Sequence, residues 1–156
     1  MTNHSSTRVP VDDSYVALVG KAIYVFAYYE WSIIYIIAHF QDGFVSEYSR
    51  GKPMTSGRVR QEFEKAINHP LASYAKVSKI ELQACCAEFE KLIVKRNALI
   101  HAHPVTDLNG SQILAYQTAI TMPLPDIKWP RTEVEAIIQE FDAAACSAGN
   151  LLSRLR

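Results

Sequence analysis

Between Val16 and Phe40 the chain carries apolar side chains at helical spacing, with Val16, Val19, Ile23, Phe26, Ile33, Ile37 and Phe40 on one face. The pattern predicts a long helix that opens at Asp12 or Asp13, either of which can cap its free amides, and ends near Phe40. Leu18, Val25, Tyr29, Ile34 and Ile36 make this helix apolar nearly all round. Such a helix is either central to the fold or covered on a second side by another subunit. Gln41 to Met54, with Gly43, Gly51 and Pro53, reads as a loop. A second helix is expected from about Ser56 to Asn68, with Val59, Phe63, Ala66 and Ile67 inward, and Pro70 prevents its continuation.

Ser78-Lys79-Ile80-Glu81 has the spacing of a capping box and opens a third helix. Its stripe of Leu82, Cys85, Cys86, Phe89, Leu92, Ile93 and Ile100 repeats at about 3.6 residues. Pro104 disfavours helical backbone at the residue before it, so this helix ends by His103. Val105 to Leu108, then Asn109-Gly110, then Ser111 to Ile120 predict one small β-hairpin. A proline-rich loop from Met122 to Pro130 follows. Thr132-Glu133-Val134-Glu135 repeats the capping-box spacing at the start of a last helix. Its apolar seam runs through Val134, Ile137, Ile138, Phe141, Ala145, Ala148, Leu151, Leu152 and Leu155, suited to a neighbouring helix. The expected fold is all-α: a bundle of four long helices with one small β-hairpin between the third and fourth. It forms a single domain over residues 1–156, with residues 1–11 disordered.

Composition narrows the functional classes. The 156 residues suit one domain able to bury a core without staples. Sixteen basic and sixteen acidic side chains cancel, which argues against coating nucleic acid through bulk charge. The charge is uneven, however: residues 51–100 hold nine Lys or Arg against five Asp or Glu. This stretch, with Lys52, Arg58 and Arg60, reads either as a local basic surface or as a solvated helix face. Three cysteines, Cys85, Cys86 and Cys146, form no disulfide framework and suit reduced thiols in a cytoplasmic protein. Met1 to Pro10 lacks the apolar core of a secretion signal. Lys21 to His39 is nearly all apolar, but Glu30 sits in its middle, so a buried bundle helix explains it better than a membrane span.

One segment breaks the pattern. At about 100° per residue, Arg96 falls inside the apolar stripe of the third helix, Asn97 lies at its edge, and His101 lies one turn beyond Asn97. An inward arginine needs a partner. Glu30, the only acidic residue between Ser14 and Gln41, is the candidate for a supporting ion pair. Read structurally, this is a pair that fixes helix register, with Asn97 and His101 as ordinary edge residues. Read functionally, arginine offers a planar fork for phosphate, and an unperturbed imidazole titrates near neutrality. Asn97, four residues before His101, can orient the ring. Such a set can stabilise charge and transfer a proton, which suffices for phosphodiester cleavage without a metal.

Arg96-Asn97-Ala98-Leu99-Ile100-His101, an arginine, a polar residue, three more residues and a histidine near a helix end, resembles the signature of the HEPN superfamily. These are small all-α domains, commonly dimeric, many of them metal-independent RNases in toxin–antitoxin, phage-defence or RNA-processing systems. The resemblance implies that Arg96 and His101 are the catalytic pair and Asn97 the polar position beside it. It also implies a cleft between two subunits of a homodimer, an RNA substrate and a candidate antitoxin partner. Some members have lost catalysis and serve as nucleotide-binding or assembly modules, so a non-catalytic RNA-binding dimer is the second expectation. Arg58, Arg60 and His103 are candidate RNA contacts.

No cofactor motif is present: there is no Walker loop, dinucleotide glycine motif, zinc-finger spacing or nucleophile elbow. His101 and His103 point about 200° apart on a helix, so no metal site is expected there. The aromatic cluster Tyr28, Tyr29, Trp31 and Tyr35 covers all sides of one helix and reads as packing rather than base stacking.

Overall fold

Asp12 accepts a hydrogen bond from the Ser14 amide at 2.9 Å and so starts the longest helix of the protein. The computed structural model describes residues 9–51, 54–70, 76–117 and 126–156. It contains α1 (Asp13–Phe40), α2 (Phe44–Arg50), α3 (Ser56–Ile67), α4 (Lys79–Ile100), β1 (His103–Thr106), β2 (Gln112–Tyr116), β3 (Ile127–Trp129) and α5 (Arg131–Leu155). The fold is thus mostly helical, as expected, but four long helices and one hairpin do not describe it. A fifth, short helix and a third strand are added.

Both additions are too short to leave a periodic signature. Gly43 adopts φ +81, a backbone state that favours glycine, and turns the chain from α1 into the seven residues of α2. Phe44 anchors that helix in the core. Strand β3 lies in the stretch read as a proline-rich loop and pairs antiparallel with β2, Leu114 opposite Trp129. The sheet order is β1-β2-β3, and Pro104 sits on the edge strand β1, where a missing amide is tolerated. The turn between β1 and β2 is wider than a two-residue Asn-Gly turn. The Asp107 carboxylate accepts from the amides of Asn109 (2.8 Å) and Ser111 (2.9 Å), and Gly110 takes the positive φ.

Expectations for the ends of the helices divide. Ser78 and Glu81 do form a reciprocal capping box at α4. The second predicted box fails: the cap of α5 falls two residues earlier, at Pro130, with no side-chain cap bond. The Pro130 carbonyl already accepts from the amides of Glu133 and Val134, which leaves Thr132 inside the first turn. The predicted disorder of residues 1–11 falls on residues 1–8, outside the described ones, and on residues 9–11, of which Val11 packs against the core.

α1 and α5 form the most extensive helix pair. The C-terminal half of α1 is central, with Tyr29, Glu30, Ser32, Ile33, Ile34, Ile36, Ile37 and Phe40 all buried. Its N-terminal half is not: Val16 and Ile23, expected on the buried face, are 49% and 42% exposed, and Tyr15 and Ala22 face inward beside Phe26, which is buried as expected. In length and hydropathy α1 could cross a membrane, yet it carries the buried Glu30 at its middle and packs here against α5, α3 and α2. The sheet is pinned to α1 by Tyr15. Its hydroxyl donates to the Trp129 carbonyl (2.6 Å) and accepts from the Leu114 amide (3.0 Å), while the Trp129 indole donates to the Ala98 carbonyl (3.1 Å).

Candidate functional site

α1 and α4 run antiparallel. Near one end Tyr15 is linked through Trp129 to Ala98, and fourteen residues along α1 Tyr29 meets Phe89. Large rings, Phe26, Tyr29 and Phe89, fill much of the space between the two helices. Beyond the rings a cavity of about 560 Å³ remains. Ile23, Phe26, Ala27, Glu30 and Trp31 line it from α1, and Ile93, Arg96, Asn97, Ile100 and His101 line it from α4. Each set repeats at three and four residues, the spacing of one helix face. The first turn of α3 (Ser56, Gly57) with its cap Thr55, together with Met54 and Tyr48 of α2, closes the remaining side.

A hydrogen-bonded chain crosses this cavity. Tyr48 donates to Glu30 Oε1 at 3.0 Å, and Ser56 donates to Glu30 Oε2 at 2.5 Å. Arg96 Nη2 in turn donates to the Ser56 hydroxyl oxygen. The expected direct Glu30–Arg96 ion pair is therefore replaced by a relay, because the hydroxyl of the first α3 residue stands between the two charges. The Arg96 guanidinium also lies 5.0 Å from the centre of the Phe26 ring, an attractive position for a cation. Its Nε is buried and has no hydrogen-bond partner among the described residues. Burial, and then the neighbouring Glu30 carboxylate, push the Tyr48 hydroxyl up to about 12, so it stays a proton donor to Glu30 throughout the neutral range.

Arg96 and Asn97 are half-buried, whereas His101, the C-cap of α4, is exposed at the cavity wall. Asn97 and His101 are joined through the backbone, His101 N–H to Asn97 carbonyl at 3.0 Å, and among the described residues no side-chain hydrogen bond orients the ring. Ile100, read as core, is 42% exposed because it too borders the cavity.

The other candidate residues lie elsewhere. Arg58 pairs with Glu62 at 2.8 Å, and Arg60 with Glu64 at 3.1 Å and Glu90 at 3.4 Å. His103 belongs to the exposed edge strand β1. None of these three lines the cavity. Among the described residues, no three His, Cys, Asp or Glu side chains are grouped to hold a metal ion. Ser56, Tyr48, Phe26 and Trp31 escaped sequence reading as site residues. The only available signal for Ser56 was a hydroxyl at the first position of a helix, which is ordinarily a capping feature.

An arginine fork, an amide, an imidazole, a buried carboxylate and two hydroxyls thus converge on one cavity. This set can bind a phosphate and move a proton. No protein-family model, curated protein or solved structure matches the chain.

Proposed function

We propose that the protein is a metal-independent endoribonuclease of the HEPN type, with Arg96 and His101 as its catalytic pair and Asn97 beside them. The observation that carries this reading is that the three residues line one cavity in which arginine is held from behind while histidine is free. Arg96 is anchored by Ser56 and Phe26, so its fork is fixed before a phosphate arrives, which is how electrostatic stabilisation becomes effective. The ribose 2′-oxygen attacks phosphorus as its proton passes to His101. The bond from phosphorus to the 5′-oxygen breaks as the 2′,3′-cyclic phosphate closes, and that oxygen takes its proton from solvent water. Arg96 stabilises the charge that gathers on the phosphorus-bound oxygens. A homodimer with two such cavities facing a shared cleft fits the exposed apolar residues of α1, Ile23, Tyr24 and Tyr28. Light scattering is then expected to give twice the 17.5 kDa chain mass.

The test is RNA cleavage by the purified protein beside His101→Ala, with and without EDTA. Cleavage is expected in the wild type, absent in the variant and unaffected by EDTA. Loss of activity on chelation would sink the mechanism. The second reading, a binding module without chemistry, is favoured by the missing Asn97–His101 side-chain bond, which leaves the imidazole unoriented. RNA binding by both the wild type and His101→Ala, with no cleavage by either, would establish it.

A further inference from the structure

Resting on the reading of this cavity as a phosphodiester site, we infer that it has two ends, and that the end formed by Trp31, Tyr48 and Met54 holds one unstacked nucleobase of the substrate. The volume of about 560 Å³ suits a nucleotide rather than a lone phosphate, since sites for small organic ligands span about 300–1,000 Å³. The chemistry is divided along its length. Arg96, Asn97 and His101 come from the last turns of α4, whereas Trp31, Tyr48 and Met54 gather where α1 passes α2 and the start of α3.

Trp31 is the reason to place a base there. It is half-buried and lines the cavity, and no described ring stacks parallel to it. Tyr48 stands at 80° to it with centroids 5.3 Å apart, and Tyr35 is tilted by 41° at 5.8 Å. The indole is thus propped by its neighbours without being covered as a stack. Single-stranded RNA is bound by splaying bases onto such aromatic faces. The polar atoms at this end are already engaged, because the hydroxyls of Tyr48 and Ser56 both donate to Glu30. Few groups remain to read a base edge, so the subsite takes purines and pyrimidines with little discrimination. The sequence reading of Trp31 as packing is extended by this: the ring packs against Tyr48 and Tyr35 out of parallel and also borders the cavity.

Calorimetric titration of the full chain with uridine 3′-monophosphate, adenosine 3′-monophosphate, uridine and inorganic phosphate tests the division. Both mononucleotides are expected to bind roughly tenfold more tightly than phosphate, the size of one aromatic stack. Trp31→Leu should bring the mononucleotides down to the phosphate level and leave phosphate binding unchanged, and Trp31→Phe should retain most of the difference. Wild-type protein that binds mononucleotide and phosphate equally, or binds neither, overturns the inference. So does a Trp31→Leu variant that keeps the wild-type preference or weakens both ligands alike. The outcome separates cleanly from the ribonuclease reading. Nucleotide preference without RNA cleavage supports the base subsite and removes the catalytic proposal. Cleavage without nucleotide preference does the reverse.

Discussion

The two sides of α4 handle charge in opposite ways. On its α5 side lies the larger space, about 730 Å³, floored by Tyr29, Cys85 and Ala144. Its charges are paired directly across the rim: Lys95 with Glu140 at 2.6 Å, Arg154 with Glu81 at 2.5 Å and Lys91 with Glu88 at 3.6 Å. On its α1 side the space is smaller, and the cation and carboxylate are held apart by the hydroxyl of Ser56. Cations on the α5 side are satisfied directly by partly exposed carboxylates and have little reason to take up a ligand. Arg96 is fixed by a neutral oxygen and an aromatic face, and its charge is not neutralised at contact distance. Convergence of unsaturated polar groups, not volume, marks the better site.

The largest expected effect breaks that comparison at the level of catalysis. Arg96→Ala and His101→Ala should each lower RNA cleavage by roughly 10²–10⁴-fold, the usual contribution of a positioned acid, base or charge stabiliser. Lys95→Ala and Glu140→Ala, on the other side of the same helix, should leave cleavage near wild type, as should His103→Ala. Equal losses on both sides would mean that α4 stability, not the cavity, governs activity.

Next in size is a thiol effect confined to the α5 side. Burial, then the neighbouring Cys86 and Glu88, push the Cys85 thiol from 9.0 up to about 12. Three units correspond to about a thousandfold less thiolate at a given neutral pH than in the unfolded chain. Iodoacetamide should therefore label the exposed Cys146 first, with Cys85 protected until denaturant is added. Peptide mapping that finds Cys85 labelled as fast as Cys146 would show that the floor of the larger space is open.

Stability comes third. Glu30 is 9% exposed and accepts two hydrogen bonds, so Glu30→Ala strands the Tyr48 and Ser56 donors and leaves Arg96 without its nearby counter-charge. A loss on the order of 3 kcal/mol is expected, at the low end for a broken buried pair because Arg96 is only half-buried. Glu140→Ala removes a partly exposed, solvent-screened pair and should cost less than about 1 kcal/mol. Ser56→Ala should fall between, about 1–3 kcal/mol, through two unsatisfied partners. Urea midpoints at constant slope would rank the three, and a Ser56→Ala loss as small as that of Glu140→Ala would show that the relay contributes nothing.

What could be read from sequence was what local chemistry decides. The Asp12 cap, the Ser78–Glu81 box and the helical periods of α1, α3 and α4 are set by residues a few positions apart. The shared orientation of Arg96, Asn97 and His101 follows from the turn of one helix. Long-range contacts stayed hidden. No pattern in Thr55-Ser56-Gly57 reveals a hydroxyl inserted between a glutamate 26 residues earlier and an arginine 40 residues later. Strand β3 is three residues long and is fixed by the distant Tyr15, and α2 is held by the buried Phe44 and by the hydrogen bond from Tyr48 to Glu30. Thr132 has the spacing of a cap but not its place, because the Pro130 carbonyl already accepts from the amides of Glu133 and Val134.

The smallest expected effect concerns the directly paired side alone. Glu81 sits at the start of α4 and accepts from the Ser78 amide (2.9 Å), from Arg154 (2.5 Å) and from the Ser78 hydroxyl (2.8 Å). The Ser78 amide first, and then Arg154, hold its carboxyl down from 4.5 to about 2. A depressed acid stabilises the fold in its ionised form, so this contribution is complete above pH 4.5 and fades as pH falls toward 2. Glu81 is partly exposed and its charge is screened by solvent, so the effect is small. Melting temperatures of wild type and Glu81→Gln should differ most at neutral pH and converge as the solution is acidified through that window. High salt should remove the Arg154 share, which acts between exposed charges, and leave the Ser78 share, which is a hydrogen bond closing the capping box. A gap between the two proteins that stays constant with pH would mean that the shape of the box, not the charge of Glu81, is what α4 uses.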